Sequence, residues 1–267
     1  NFTNKFDKIN AKKFDDLVVN EKELKDAYNK IPSKIIKSLK NSIKRIKLFH
    51  EKQKPNNLIY KDKEGVTLGS IWNPIESVGL YVPGGKAAYP SSLIMNAVPA
   101  LVAKVPRIVI TVPATNGEIN PLVLACCKIL NIKEIYKVGG AQAISALAIG
   151  TNNIRKVDKI FGPGNAYVAL AKKKFFGTVG IDMIAGPSEI LVLADKKNNP
   201  QHIAIDLLSQ AEHDELAQSI LVTDDLSFAD IVIEEVEELL KILERKAIAK
   251  KSWENYGAVI VLENIKE

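Results

Sequence analysis

A glutamine and a histidine near the end of one predicted helix are the side chains best suited to chemistry. The helix opens at Asn199-Pro200, and Gln210 and His213 stand three residues apart on neighbouring turns near its end. An imidazole nitrogen and an amide oxygen can both bind a metal ion. The alternative is a structural histidine whose ring is hydrogen-bonded to the backbone at the helix end. The spacing by itself leaves both interpretations open.

Three glycine-bearing loops follow predicted strands and favour a nucleotide-type ligand. They are Pro83-Gly84-Gly85, Gly139-Gly140-Ala141-Gln142 and Gly162-Pro163-Gly164-Asn165. In an open parallel sheet, ligands bind outside the carboxyl ends of the strands, where these loops meet. The third loop leads directly into a helix, whose first N–H groups attract phosphate. Turn geometry alone also explains each glycine, and the Gly-x-Gly-x-x-Gly fingerprint of dinucleotide-binding proteins is absent.

A fourth loop, Ala185-Gly186-Pro187-Ser188-Glu189, joins two hydrophobic strands. The hydroxyl of Ser188 is either a hydrogen-bonding group for a ligand or a simple turn residue. The sequence favours neither interpretation over the other.

The elements that must position these residues are short apolar runs alternating with helices. Strands are predicted at residues 78–82, 108–112, 134–138, 159–161, 180–184, 190–194, 219–223 and 258–262, with helices beginning near residues 91, 117, 141, 165, 200 and 228. Before them lie two predicted helices, 21–31 and 33–54, and a hairpin around Glu64-Gly65. The alternation predicts parallel sheets covered by helices, an α/β fold with a helical N-terminal region.

We predict two Rossmann-like domains with incomplete parallel sheets. Residues 77–186 form an inserted domain, and residues 1–76 and 187–267 form a discontinuous one. The joints lie at Asn73-Pro74 and Gly186-Pro187, where proline and glycine interrupt the alternation.

The composition argues against a nucleic-acid-binding protein. The chain has 267 residues, 46% of them hydrophobic, and its net charge of +6 comes from 37 basic and 31 acidic residues. Only four of the basic residues are arginines, whereas nucleic-acid binders rely on arginine. The densest lysine group lies on helix 33–54, opposite Ile36, Leu39 and Ile43, which predicts a solvated helix face rather than a nucleic-acid site.

Compartment and membrane association also follow from residue usage. Cys126 and Cys127 are adjacent in an apolar helical segment, which suits buried reduced thiols in the cytoplasm better than a disulfide. No apolar run reaches the length that spans a bilayer, so we expect no membrane association.

Taken together, five motifs resemble histidinol dehydrogenase. They match in order from about residue 78 to residue 213, with weaker similarity on both sides. The motifs are the segments 79–85, 138–143, 159–165, 185–189 and 209–213. The resemblance implies oxidation of L-histidinol through histidinal to L-histidine, the last steps of histidine biosynthesis. It also implies two NAD molecules per turnover, one zinc ion per subunit and a homodimer.

The resemblance assigns roles position by position. Tyr81, Gln142 and Asn165 resemble the NAD-contacting residues of the family. Ser188 resembles a substrate contact, and Gln210 and His213 resemble two of the zinc ligands that also lie against the substrate. The zinc ion of the family holds and orients the substrate's imidazole and amine.

In the family, a Glu-His pair supplies acid and base, and an Asp and a second His complete the zinc shell. All four lie beyond the strand predicted at 258–262, so the resemblance implies a catalytic pair past Glu267. We therefore expect a chain truncated at both ends, inactive alone and a weak binder of zinc. The alternative hypothesis is a non-catalytic nucleotide-binding α/β module in which His213 is structural.

Overall fold

The computed structural model describes residues 2–84 and 89–265 of the chain. Contacts between Cα atoms divide the chain into two compact units, Asn1–Ile184 and Ala185–Glu267. Gly85, the last residue of the first predicted glycine loop, lies outside the described residues.

The N-terminal part of the first unit is helical, as predicted. Helices α1, α2 and α3 span Phe2–Asp7, Glu21–Lys30 and Ser33–Gln53, and an antiparallel hairpin joins β1 (Leu58–Lys61) to β2 (Thr67–Ser70). The predicted capping box opens α2: Glu23 N–H donates to the Asn20 side chain, and Asn20 N–H donates to the Glu23 carboxylate, both at 2.9 Å. The lysines of α3 face solvent, whereas Ile36 is buried and Leu39 and Ile43 pack against the core.

The centre of the first unit is a five-stranded parallel sheet. Its strands are β3 (Ser77–Tyr81), β4 (Arg107–Thr111), β5 (Glu134–Tyr136), β6 (Lys159–Phe161) and β7 (Gly180–Ile181), in the order β5-β4-β3-β6-β7. The connecting helices are α4 (Pro90–Val102), α5 (Pro121–Ile129), α6 (Gly140–Ile149) and α7 (Ala166–Phe175). The strand order reverses between β3 and β6, which is where open α/β sheets bind ligands.

Alternation along β3 builds a hydrophobic core on each face of this sheet. Val78 and Leu80 join the core with α4 and α5, whereas Tyr81 faces the core with α6. Strand β7 ends at Ile181, earlier than the predicted 184, because its partner β6 ends at Phe161.

The second unit contains a three-stranded parallel sheet in the order β10-β9-β8. Its elements in chain order are β8 (Glu189–Leu193), α8 (Pro200–Ala211), β9 (Gln218–Thr223), α9 (Leu226–Ile242), α10 (Lys246–Tyr256) and β10 (Ala258–Val261). Leu207, Leu221 and Val232 lie in the buried core of this unit. Asn199 caps α8, as the Asn-Pro pair predicted, and its side chain accepts from Gln201 N–H at 2.9 Å.

The compact units place residues 1–76 differently from the predicted domains. Helix α2 packs against α5, and α3 packs against α4, so the N-terminal helices lie with the five-stranded sheet. The prediction assigned them to the same domain as 187–267, because periodicity identifies an apolar helix face but not its partner. The boundary at residue 185 lies beside the predicted joint at Gly186-Pro187.

The structure also bears on the predictions for the two cysteines and for membrane-spanning helices. Cys126 and Cys127 are free thiols, and burial raises the pKa of Cys126 to about 12. In the part of the chain that the structure describes, no helix is both long and apolar enough to cross a membrane.

Candidate functional site

Loops at the carboxyl edge of the five-stranded sheet pack tightly against one another. The loop after β5 lies on the loop after β4: an added Cβ at Gly139 would come within 2.3 Å of Pro113 Cγ. The loop after β6 lies on the end of β3 in the same way. Gly162 has φ of 114°, and an added Cβ there would lie 2.0 Å from the Tyr81 carbonyl oxygen. Glycine is therefore needed here for close backbone approach as well as for the turns.

Tyr81 connects two of these loops. Its side chain is only 4% exposed, and its hydroxyl oxygen accepts a hydrogen bond from Gly140 N–H at 3.0 Å. Burial raises the pKa of the Tyr81 phenol, and the Gly140 hydrogen bond opposes that rise. The phenol therefore stays protonated at neutral pH and keeps one O–H donor for a neighbouring group.

Gln142 and Asn165 stand at the starts of the two helices on the Tyr81 face. Gln142 is the third residue of α6 and is half-buried beside Gly140. Asn165 is exposed and caps α7, its side-chain oxygen accepting from Val168 N–H at 3.2 Å. Because the oxygen is occupied by the cap, the amide nitrogen is the part of Asn165 suited to donate to a ligand.

The structure therefore brings the three predicted cofactor residues to one edge of one sheet. Gln142 follows the Gly140 amide that Tyr81 holds, and Asn165 follows the Gly162 residue that contacts the Tyr81 carbonyl. The edge lies where the strand order reverses, and the N-terminus of α7 adds N–H groups that favour phosphate. These residues fit a dinucleotide such as NAD.

A cavity of about 270 Å³ lies beside this edge, next to the loop after β3. The residues that line it include Pro83, Gly84, Tyr89, Pro113, Thr115, Glu118 and Asn120. The sequence analysis named its Pro83-Gly84 side but missed the side formed by the loop Pro113-Ala114-Thr115, because that loop carries no glycine. The position of this loop directly after the strand predicted at 108–112 could have identified it.

The predicted substrate and metal residues lie in the second unit, at the amino edge of its sheet. Ser188 is exposed directly before β8, and its carbonyl accepts at 3.0 Å from the N–H of Gln218, the first residue of β9. Gln210 is the last residue but one of α8, and His213 follows in the turn that leads to β9. The topology thus places Ser188, Gln210 and His213 along the same edge.

Helix α10 holds the turn that carries His213. The Ser252 hydroxyl donates to the Ala217 carbonyl at 2.7 Å, and Arg245 lies 3.5 Å from the His213 carbonyl oxygen. Lys251 forms an ion pair with Glu215 in the same turn, which raises the pKa of the lysine. Nothing in the sequence pattern near residue 250 had indicated this support.

The environments of Gln210 and His213 distinguish a ligand-binding role from a purely structural role for these side chains. The Gln210 amide nitrogen is buried and has no hydrogen-bond partner within residues 2–84 and 89–265. His213 is exposed, and within the same residues its ring makes no hydrogen bond. A histidine that served only to cap the helix would be expected to bond to the backbone. Both side chains instead have unused capacity for an outside group.

These two residues do not complete a zinc site. Among the described residues, no group of three or more His, Cys, Asp or Glu side chains could hold a metal ion. Structural and catalytic zinc sites use at least three protein ligands, so Gln210 and His213 supply part of one at most.

Comparison with known proteins gives one family. The histidinol dehydrogenase family model matches residues 1–267. The histidinol dehydrogenase of Gluconobacter oxydans is 49% identical over 266 residues, which cover 100% of this chain and 62% of that relative. Histidinol dehydrogenase 1 of a Nostoc species is 58% identical over 230 residues, which cover 86% of this chain and 53% of that relative.

A solved structure agrees with the sequence matches. The crystal structure of histidinol dehydrogenase from Elizabethkingia anophelis superposes with a TM-score of 0.91 at 40% sequence identity. The superposition covers 99% of this chain and 61% of that one. The chain thus spans less than two thirds of the length of these relatives.

Proposed function

Because the chain belongs to the histidinol dehydrogenase family, we propose that the whole protein oxidises L-histidinol through histidinal to L-histidine with NAD. Four electrons leave the substrate in two steps, and each step transfers a hydride that reduces one NAD to NADH. Water adds to histidinal before the second step and supplies the second carboxylate oxygen, and the protons are released to solvent. A single observation supports the NAD proposal: the loops meet at the carboxyl edge of the five-stranded sheet. There the Tyr81 hydroxyl accepts a hydrogen bond from Gly140 N–H, and the Tyr81 carbonyl lies against Gly162.

We place NAD across the loops that carry Tyr81, Gln142 and Asn165. The start of α7 faces phosphate or ribose, because its first N–H groups and the helix dipole favour negative charge. The Asn165 amide nitrogen donates to the cofactor while its oxygen remains in the cap. Tyr81 acts mainly by holding the Gly140 backbone, since its side chain is buried.

We place the substrate against Ser188, Gln210 and His213. In the whole protein, His213 binds zinc through a ring nitrogen and Gln210 through its side-chain oxygen, which requires the amide nitrogen to turn away from the metal. The remaining zinc ligands and the acid and base are not assigned to residues of this chain. Following the family, the whole protein is proposed to act as a homodimer.

The test of this function uses two polypeptides. Calorimetric titration of the 267-residue chain with NAD should give saturable binding, and Asn165→Ala should weaken it. A version extended to the length of the relatives should form two NADH for each histidinol consumed, whereas the 267-residue chain should form none. Absence of NAD binding by both polypeptides would reject the proposal.

A second candidate function follows from the partial metal site. Among the described residues, no group of three or more His, Cys, Asp or Glu side chains could hold a metal ion, which would also suit a nucleotide-binding module without catalysis. Metal analysis of the extended polypeptide separates the two candidates. One tightly held zinc per subunit supports the enzyme, and its absence together with intact NAD binding supports the module.

A further inference from the structure

A buried lysine lies beneath the loop that follows β6. Lys172, on α7, is 3% exposed, and its ammonium donates to Asp182 Oδ1 at 2.6 Å and to the Gly162 carbonyl at 2.5 Å. A buried ammonium is costly unless it is paired and hydrogen-bonded, and these two contacts pair its charge and satisfy two of its three donors. The lysine is therefore committed to the inside of the protein and is not an anion ligand at the surface.

Asp182 completes the arrangement from the end of β7. Its Oδ2 accepts from Gly162 N–H at 2.8 Å, and its Oδ1 also accepts from Met183 N–H at 2.7 Å. One ion pair thus binds both polar groups of Gly162, the N–H through Asp182 and the carbonyl through Lys172. These are charge-assisted hydrogen bonds, which are stronger than neutral ones.

Gly162 is a residue whose position must be held. Its φ of 114° is in the region that favours glycine, and the Tyr81 carbonyl oxygen blocks the place of a Cβ. Two residues further on, Gly164 lies against Val168 so closely that a Cβ would come within 2.4 Å of Cγ1. The backbone that leads from Gly162 to the Asn165 cap is therefore tightly packed both at Gly162 and at Gly164.

We propose that Lys172 and Asp182 are positioning residues, which hold the Gly162 backbone so that Asn165 and the start of α7 receive the dinucleotide. The proposal rests on the proposed function for the identity of the ligand. An apolar pair of the same volume would stabilise the fold about as well as a buried ion pair. What an apolar pair cannot do is bind the N–H and the carbonyl of one chosen peptide.

The test compares stability with NAD affinity in variants of the 267-residue chain. Lys172→Met leaves the Asp182 charge without its partner, so both the melting temperature and NAD affinity should fall. The double variant Lys172→Met/Asp182→Asn removes the unpaired charge and should regain most of the melting temperature. Its Kd for NAD, measured by calorimetry, should stay about tenfold above wild type, because the donor to the Gly162 carbonyl is gone.

Hydrogen exchange gives a readout that does not depend on the cofactor. Amides of residues 162–168 should exchange faster in the single and the double variant, whereas those of β4 and β5 should not change. The matched control is Lys173→Met, which removes an exposed lysine from the same helix and should alter neither exchange nor affinity.

Each outcome bears on one proposal. A double variant with wild-type affinity and wild-type exchange would overturn the positioning role, as would one that fails to fold, since the pair would then be needed for folding itself. If the wild-type chain took up no NAD, the proposed function would fail, and the exchange comparison would still decide whether the pair positions the loop.

Discussion

The two edges of the five-stranded sheet use polar groups in opposite ways. At the amino edge, Arg107 binds the Glu134 carboxylate at 2.9 and 2.6 Å, and Asp158 accepts from both the N–H and the hydroxyl of Ser77 at 2.7 Å. These side chains satisfy one another. At the carboxyl edge, glycines bring the loops together, and the polar side chains Gln142 and Asn165 remain partly or fully exposed.

The direction of the strands explains the difference. In parallel α/β units the carboxyl end of each strand leads to a helix N-terminus, so N–H groups and positive dipole ends collect at one edge. That edge can take an anionic ligand, and the opposite edge is available for side chains that tie the strands together. We therefore predict that the polar side chains of the amino edge stabilise the fold, whereas Gln142 and Asn165, which the carboxyl edge leaves at least partly exposed, serve a ligand.

The second sheet places its candidate residues at the amino edge instead. Gln210 and His213 stand where α8 ends, next to helix carbonyls rather than helix N–H groups. The C-terminal end of a helix favours positive charge. A cation is thus the better-suited ligand at this edge, as an anion is at the carboxyl edge of the first sheet.

The largest effect is expected at Gly162. Gly162→Ala should lower the free energy of unfolding by about 3 kcal/mol and abolish measurable NAD binding, because the new methyl group meets the Tyr81 carbonyl. Gly177→Ala is the matched control, since Gly177 has φ of 96° but nothing within 4 Å of an added Cβ. It should cost only about 1 kcal/mol in urea unfolding. Equal losses would show that the contact with Tyr81 is unimportant.

The next effect concerns the second sheet. In the polypeptide extended to the length of the relatives, His213→Ala should remove most of the zinc and reduce NADH formation about 100-fold or more. His202→Ala changes an exposed histidine of α8, the helix that precedes His213, and should leave zinc content and rate unaltered. Full zinc content in the His213→Ala variant, measured by elemental analysis, would show that the zinc ion is not bound at the amino edge of this sheet.

At the amino edge of the first sheet we expect an effect on stability alone. Arg107→Met should lower the free energy of unfolding by about 2 kcal/mol, because Glu134 loses a partly buried partner. Lys128→Met, which breaks the exposed ion pair with Glu21, should cost less than about 1 kcal/mol. The Kd for NAD should be unchanged in both variants. A weakened Kd in the Arg107 variant would contradict the division of roles between the edges.

The smallest effect separates the cap from the ligand contact. Asn165→Ala and Asn199→Ala each remove a helix cap and should each cost about 1 kcal/mol of unfolding free energy. Only the Asn165 variant should bind NAD about tenfold more weakly, a change of about 1.4 kcal/mol in calorimetry. Equal stability losses with unchanged NAD affinity in both variants would mean that Asn165 is a cap and nothing more.

Local patterns in the sequence were sufficient to predict the helices and strands and the position of three candidate residues within them. Apolar periodicity predicted the strands of both sheets to within a few residues, and the Asn20 and Asn199 caps marked two helix starts, because these signals arise within a single turn or strand. The motifs placed Tyr81, Gln142 and Asn165 at strand ends. Their roles as NAD contacts stay predictions.

Contacts between distant residues were decided by the tertiary structure. No local pattern joins Tyr81 to Gly140, 59 residues away, or shows that Lys172 and Asp182 would bind the two sides of the Gly162 peptide. The sequence likewise did not show that the N-terminal helices would pack against the helices of the five-stranded sheet. Periodicity tells which face of an element is apolar, but the choice of its partner depends on how separate faces fit together in three dimensions.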